Sequence, residues 1–353
     1  MQNSLLVLDS TKDGWKVHEH FKHQNPCDVS CGMVVAFDPN NSERAYCGTF
    51  DNGLWKSDDN GITWEKTSLN LSGFNIMSLS VSHTEKGKEG FSRLFVGTEP
   101  SMIFSSADDG GGNQNWEKID QFNKLPSASS WSFPPRPWTN HVRAIEQDIN
   151  KKEYIFAAIE AGALIKSLDG GKTWIDRVED GPYDTHTLIT HRKTPGRLYS
   201  AAGDGYFESQ DYGNSWERLV EGLGQHTYLS DIAVNSDDPQ NMIISTASNA
   251  FKAHRREDPE SFVYRCCCSS DSYDDDIERG RERRWTLATD GLPESKGTII
   301  SILKSNSKIK DEFYCLNNKG IYCSKDSGIS WDMLDIPWSK EYYSQHPWSL
   351  AIR

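Results

Sequence analysis

An eight-residue pattern, Ser-x-Asp-x-Gly-x-Thr/Ser-Trp, constrains this chain more than any other feature. It occurs at Ser57–Trp64, Ser167–Trp174, Ser209–Trp216 and Ser324–Trp331. Four copies fixed at the same five positions are not a product of chance. The Ser and Asp side chains can take up backbone N–H groups of a tight turn, and Gly supplies a positive-φ position. The Trp then opens the following strand, where it is expected to cover the flank of the next repeat and bury about 150–250 Å². A catalytic or calcium-binding aspartate is not needed once per repeat, so these aspartates read as turn residues.

Each copy sits in the same context. An apolar stretch is followed by a small-residue strand, a turn, and a strand ending in the Ser. Examples are Met33-Val-Val-Ala-Phe, Ala45-Tyr-Cys-Gly-Thr and Leu54-Trp-Lys-Ser57, then Val142-Arg-Ala-Ile, Tyr154-Ile-Phe-Ala-Ala and Leu164-Ile-Lys-Ser167. A short fourth strand follows the Trp. Four short strands per repeat make the blade of a β-propeller. Degenerate copies fill the gaps: Ser106-Ala-Asp-Asp-Gly110 with Trp116 three residues late, and 262–285 with a charged insertion before Trp285. Residues 5–18 align with Ala45–Ser57 as the middle strands of a further blade. Its first strand is available as Trp348–Arg353. The expectation is therefore an all-β chain, residues 1–353 forming a single propeller domain. Seven four-stranded blades, with N- and C-terminal strands sharing the closing blade, leave no open edge. Six blades are the alternative, with the terminal strands packed elsewhere.

With 38 Lys+Arg against 51 Asp+Glu, the net charge is −13, which argues against a nucleic-acid partner. No run reaches the ~18 apolar residues of a membrane span. The N-terminal run has four apolar residues in a row, too few for a signal-peptide core. The eight cysteines therefore read as reduced thiols of a cytoplasmic protein. Cys47, Cys315 and Cys323 fall in strand patterns and are expected to pack as small apolar residues.

The repeated boxes resemble those of the Asp-box, or bacterial neuraminidase repeat, propellers, including uncharacterised sialidase-like and sortilin-like proteins of prokaryotes. That group mixes sialidases, endoglucanase-type glycoside hydrolases, sortilin-like receptor domains and a photosystem assembly factor. The resemblance implies the fold and leaves the activity open. Trp138-Thr-Asn-His-Val-Arg and Gly181-Pro-Tyr-Asp-Thr-His also resemble the sialidase-like branch. The Arg-Ile-Pro motif that sialidases carry before the first box does not occur here.

Strand order sorts the loops by face. The boxes join the third strand to the fourth. Loops joining strands two and three, and those leading into each first strand, lie on the opposite face at the mouth of the central channel. The leading loops carry Arg136, Trp138, His141 and Arg143, then Asp184 and His186, then His226 and Tyr228, and finally His346 and Trp348. The turns between strands two and three add Asp51, Glu99, Glu160 and Asp204. Arg136 and Arg143 are expected to hold an anionic or polar ligand and Trp138 and Trp348 to stack on it. Glu160, Asp184, His186, Tyr228 and His346 complete the candidate site. His141 or His186 with Glu160 are candidates for moving protons. The same three residues are the candidate ligands of a divalent metal; otherwise no cofactor is expected.

Two functions fit: a propeller that binds a small molecule, a saccharide or a protein partner on this face, or a glycosidase-like hydrolase using its carboxylates. The absence of a full sialidase motif set favours binding. Two further groups hold ligand-type residues. His18, His20 and His23 with Cys27 and Cys31 read as an edge strand. Cys266–Cys268 and the Asp- and Arg-rich run after them read as an inserted loop.

Overall fold

Short apolar runs between Gly- and Asp-rich turns pair as antiparallel strands throughout the computed structural model. It describes residues 1–353 except 2, 13, 23–32, 68–72, 88–89, 108–115 and 267–282. His23, Cys27, Cys31, Cys267, Cys268, the charged insertion and part of the 106–110 box lie outside the described residues.

Six blades follow one another. The first comprises β3 (Val34–Asp38), β4 (Asn41–Thr49), β5 (Gly53–Ser57) and β6 (Glu65–Lys66). The second is β7 (Asn75–Lys86), β8 (Ser92–Glu99), β9 (Ile103–Ser106) and β10 (Glu117–Ile119). The third is β11 (Val142–Gln147), β12 (Ile155–Ile159) and β13 (Ala163–Ser167), with a single Lys166–Ile175 bridge in the place of an outer strand. The fourth is β14 (Thr185–Thr190), β15 (Leu198–Ala202), β16 (Gly205–Ser209) and β17 (Glu217–Arg218). In the fifth, β18 (Tyr228–Val234) and β19 (Met242–Ala247) lead through the short helix α1 (Ala250–His254) to β20 (Phe262–Cys266) and β21 (Thr286–Ala288). The sixth is β22 (Ile302–Ser305), β23 (Phe313–Asn317), β24 (Gly320–Ser324) and β25 (Asp332–Met333). Residues of all six first strands, with Trp348–Leu350, line a central cavity of about 300 Å³.

The expected seventh four-stranded blade is not formed. A two-stranded hairpin, β1 (Leu5–Thr11) and β2 (Gly14–His20), stands where it would be. Leu6, Leu8, Trp15 and Val17 pack toward the sixth blade. Leu5 and Val7 pack toward the first, with Met33 and Cys47. The C-terminal segment runs beside the hairpin but forms no ladder with it. Pro347 contributes no N–H, and Ser349 Oγ accepts from the Val35 N–H at 3.2 Å. A cavity of about 450 Å³ lined by both the hairpin and residues 349–353 occupies the gap.

The boxes have one geometry. In each, the Ser Oγ bonds the Asp carboxylate and accepts the Gly N–H at 2.7–2.8 Å. The same Asp accepts the N–H and hydroxyl of the following Thr or Ser. The Gly and the residue before it both have positive φ, as in Tyr212 (58°) and Gly213 (74°). The tryptophans reverse the expected direction: they cover the preceding unit, not the next. Trp174 packs among Phe95, Ile103 and Ile119, Trp216 against Phe156 and Leu164, and Trp331 against Ile243 and Val263. The box itself faces that way. A Cβ on Gly171 would touch Ile119, and one on Gly328 would come within 2.8 Å of Ile243. The indoles of Trp64 and Trp174 donate back to the carbonyl of the box Gly, which turns the ring to the same side. Gly61 likewise faces Val7, so the hairpin takes the place of a preceding blade.

Cys47, Cys266, Cys315 and Cys323 are buried free thiols. Burial pushes the Cys47 and Cys315 thiols up to about 12. Among the described residues no helix is long and apolar enough to cross a membrane.

Candidate functional site

Antiparallel order carries the end of every second strand and the start of every first strand to the face opposite the boxes. Glu99 ends β8 and Glu160 follows β12. His141 immediately precedes β11, Asp184 precedes β14, and Tyr228 begins β18. α1 brings His254, and the C-terminal segment brings His346 and Trp348. These side chains form one connected network around the channel mouth.

Its first half is ionic. Arg136 forks onto Glu99, Nε to Oε1 at 2.7 Å and Nη2 to Oε2 at 2.5 Å. The wholly buried His141 (0% exposed) stands between two carboxylates, with Nε2 2.6 Å from Glu160 Oε2 and Nδ1 3.2 Å from Glu99 Oε2. Phe133 covers the imidazole edge-on, with ring centroids 4.6 Å apart. Burial alone would depress the His141 pKa, but Glu160 and Glu99 outweigh it and raise it. Burial opposes ionisation of Glu160 too; His141, His186 and Arg143 override it and hold this carboxyl well below the usual range. Glu99 is lowered in the same way, burial being outweighed by His141 and Arg136.

Arg143 is placed differently. Its Nε is 3.4 Å from Glu160 Oε2 and its guanidinium lies over the Trp348 ring at 5.5 Å. Its two terminal nitrogens have no partner among the described residues. Both Arg143 and Trp348 line the central cavity.

The second half is a chain of neutral hydrogen bonds. His346 Nδ1 faces the Pro347 carbonyl. A carbonyl only accepts, so His346 Nε2 is the acceptor for His254 Nδ1–H at 2.7 Å. His254 Nε2 then accepts from the Tyr228 hydroxyl at 2.8 Å. Burial lowers both imidazoles, His346 to about 4 and His254 well below its ordinary value, with His346 adding to the latter. The Tyr228 ring meets His186 at 5.2 Å. His186 Nδ1 donates to the Leu229 carbonyl at 2.6 Å. Its Nε2 points between Glu160 Oε1, at 3.7 Å, and Asp184 Oδ2, at 3.6 Å. Asp184 Oδ1 accepts the Ala161 N–H at 2.7 Å. Burial raises the Asp184 carboxyl, with Glu160 and Asp204 adding to it and His186 opposing.

Of the residues the sequence singles out, Arg136, His141, Arg143, Glu160, Asp184, His186, Tyr228, His346 and Trp348 come together. Trp138 does not; it is 79% exposed. His226 is turned aside, stacked on Phe262 at 3.8 Å and bonded to the Tyr264 hydroxyl. Asp204 receives the N–H groups of Tyr183 and Asp184, and Asp51 is exposed at its turn. The expected His141–His186–Glu160 metal set is not assembled, because both His141 nitrogens already face carboxylates. Among the described residues, the group that could hold an ion is Glu160, Asp184 and His186. Sequence reasoning missed His254. It lies between strands two and three of its blade, the position that supplied Glu99 and Glu160, but in a helix that the strand pattern does not anticipate. At the N-terminus His18 lies 3.6 Å from Asp9 across the hairpin.

No protein-family model matches the chain, and no curated protein matches it. Solved structures do. An ancestral GH74 enzyme superposes with a TM-score of 0.58 at 15% identity, over 82% of this chain and 35% of that one. YCF48 bound to D1 peptide gives 0.53 at 18% identity, over 89% and 84%. YCF48 from Cyanidioschyzon merolae gives 0.55 at 12%, over 91% and 88%. The chain thus spans about a third of the GH74 enzyme and most of YCF48. The class these likenesses and the blade order define is a β-propeller. At such low identity they establish the fold alone.

Proposed function

We propose that this chain is a binding propeller of the Asp-box kind, which takes an anionic ligand at the channel mouth opposite the boxes. The observation that carries the proposal is Arg143: its terminal nitrogens have no partner among the described residues and its guanidinium lies over the Trp348 ring at 5.5 Å, while the Glu160 oxygen nearest it is already engaged by His141. A guanidinium free at one edge suits a carboxylate, and an indole beside it suits the apolar face of a ring. Acidic sugars offer both. The exposed aromatic side chains Trp138, Tyr183, Phe251 and Tyr343 belong to connecting segments, α1 among them, on this same face and extend the surface available to a longer saccharide or a peptide. One of the similar folds is that of YCF48 bound to D1 peptide, so a peptide ligand occurs on this architecture.

The test is a thermal-shift and calorimetric screen with glucuronate, galacturonate oligomers, N-acetylneuraminate, neutral xylo-oligosaccharides and an acidic peptide. Acidic saccharides are expected to raise the melting temperature, and Arg143→Gln to weaken binding at least tenfold, about 1.4 kcal/mol. The proposal fails if no acidic probe binds, or if Arg143→Gln binds as tightly as the parent.

One observation favours a hydrolase as the second reading. Asp184 and Glu160 have carboxylate oxygens within 4.8 Å of each other, and their surroundings push their pKa values in opposite directions. Such a divergence separates an acid from a base. Release of chromophore from aryl glycosides, abolished by Asp184→Asn, would establish it.

A further inference from the structure

We infer that Glu160, Asp184 and His186 form a binding site for one divalent transition-metal ion, of the Zn²⁺ or Mn²⁺ class, at the mouth of the central channel. The inference does not rest on the ligand reading above, which uses Arg143 and Trp348.

His186 decides the matter. It is 3% exposed at its side chain, and its Nδ1 lies 2.6 Å from a backbone carbonyl that can only accept. The Nδ1 proton is therefore fixed, so that the neutral ring carries its lone pair on Nε2. That nitrogen makes no hydrogen bond among the described residues. It aims instead between two carboxylate oxygens at 3.6 and 3.7 Å, too long for a proton to bridge well to either. With the ring neutral, three acceptors face one point, an arrangement that is repulsive until a positive charge enters it.

Each carboxylate is oriented from behind, so that one oxygen is free for that point. Glu160 Oε2 is taken by His141 and Arg143, which leaves Oε1 toward His186. Asp184 Oδ1 is taken by the Ala161 N–H, which leaves Oδ2. A backbone carbonyl behind the imidazole and donors behind the carboxylates are the outer contacts that metal sites use to fix their ligands. The three inward atoms lie within 4.8 Å of one another. With the 3.6 and 3.7 Å separations from Nε2, that spacing leaves a point about 2.4 Å from each, and a contraction of a few tenths of an ångström reaches the ~2.0–2.2 Å of zinc bonds. A mixed imidazole and carboxylate set suits Zn²⁺ or Mn²⁺. Three protein ligands leave further positions open, and His186 lines the channel, so water or an incoming oxygen ligand can complete the shell.

Asp184 fits the reading in one more way. A Cβ on Gly203 would stand 2.1 Å from its Oδ2, so only glycine there gives the carboxylate its place.

The experiment is calorimetric titration of the full chain, stripped with chelator and dialysed, with ZnCl₂ and separately with MnCl₂, alongside elemental analysis of unstripped protein. One equivalent is expected to bind and to raise the melting temperature. Asp184→Asn, which keeps an acceptor for Ala161, and His186→Gln should each lower the affinity for the ion at least tenfold. His226→Ala, whose imidazole lies outside the network, should titrate as the parent does. The inference is overturned if neither ion binds the parent chain, or if Asp184→Asn and His186→Gln bind as the parent does. Where His186→Gln does not fold, Asp184→Asn decides alone. Ion binding with no acidic saccharide bound would leave this site standing and remove the ligand proposal.

Discussion

Glu160→Gln tests whether the channel-mouth network holds itself together. The substitution keeps the volume and removes the charge that faces the His141 imidazole at 2.6 Å and Arg143 at 3.4 Å. His141 is fully buried, whereas Glu160 keeps 17% of its side chain exposed. The low end of the range for breaking a buried pair therefore applies, about 3 kcal/mol. An unfolding entropy of about 2.1 cal/mol/K per residue makes that about 4 °C in melting temperature, for a chain of this length unfolding in one cooperative step. The pH dependence has a definite sign. Glu160 is lowered in the fold, so its contribution is present above its ordinary 4.5 and lost as pH falls through the folded value. His141 is raised, so its contribution is present below 6.5 and lost as pH rises through its higher folded value. The penalty of Glu160→Gln should accordingly be largest between about pH 4.5 and 6.5 and shrink on either side. Thermal melts followed by near-ultraviolet circular dichroism from about pH 2 to 9 measure it. A variant that melts within 1 °C of the parent throughout would refute the reasoning.

Two further outcomes concern the scaffold. Trp331→Ala should cost about 3–5 kcal/mol, because the ring is 3% exposed and seals the fifth blade, whereas Trp138→Ala should cost less than about 0.5 kcal/mol; paired denaturant melts compare them. Asp169→Asn should lower the melting temperature at pH 7. Thr173 first, and then Ser167 and Lys172, hold the Asp169 carboxyl at about 2, so its contribution is present above 3.8 and disappears as pH falls through 2, where parent and variant should melt together.

The blade pattern was legible because turn chemistry is local: Ser, Asp and Gly at fixed spacing specify the turn whatever surrounds it. The strand order that follows is topological, and it carried His141, Glu160, Asp184, His186 and Tyr228 to one face without any knowledge of packing. What failed depended on contacts between units. The side of the blade a tryptophan covers is set by how the box Gly meets its neighbour, which no eight-residue pattern contains. The closing blade failed for a related reason. Alignment with Ala45–Ser57 identified a hairpin, but a ladder with residues 348–353 needs backbone donors in register, and Pro347 and Ser349 direct that segment otherwise. Trp138 and His226 have the right residue types in the right loops. Side-chain direction within a loop is decided by local partners such as Phe262 and Tyr264, which a residue list does not disclose.

The C-terminal segment carries a thermodynamic consequence. Its residues 346–350 give the network His346, place Trp348 beneath Arg143, and lie against the hairpin where the ring is joined by side chains and not by a ladder. The wall of the site and the clasp of the ring are therefore the same few residues. Whatever binds more tightly to the wall when it is assembled must strengthen the clasp by the same free energy, and loosening the clasp must weaken binding by that amount. Occupancy can thus be read at a distance from the ligand, as slower hydrogen exchange in β1 and β2.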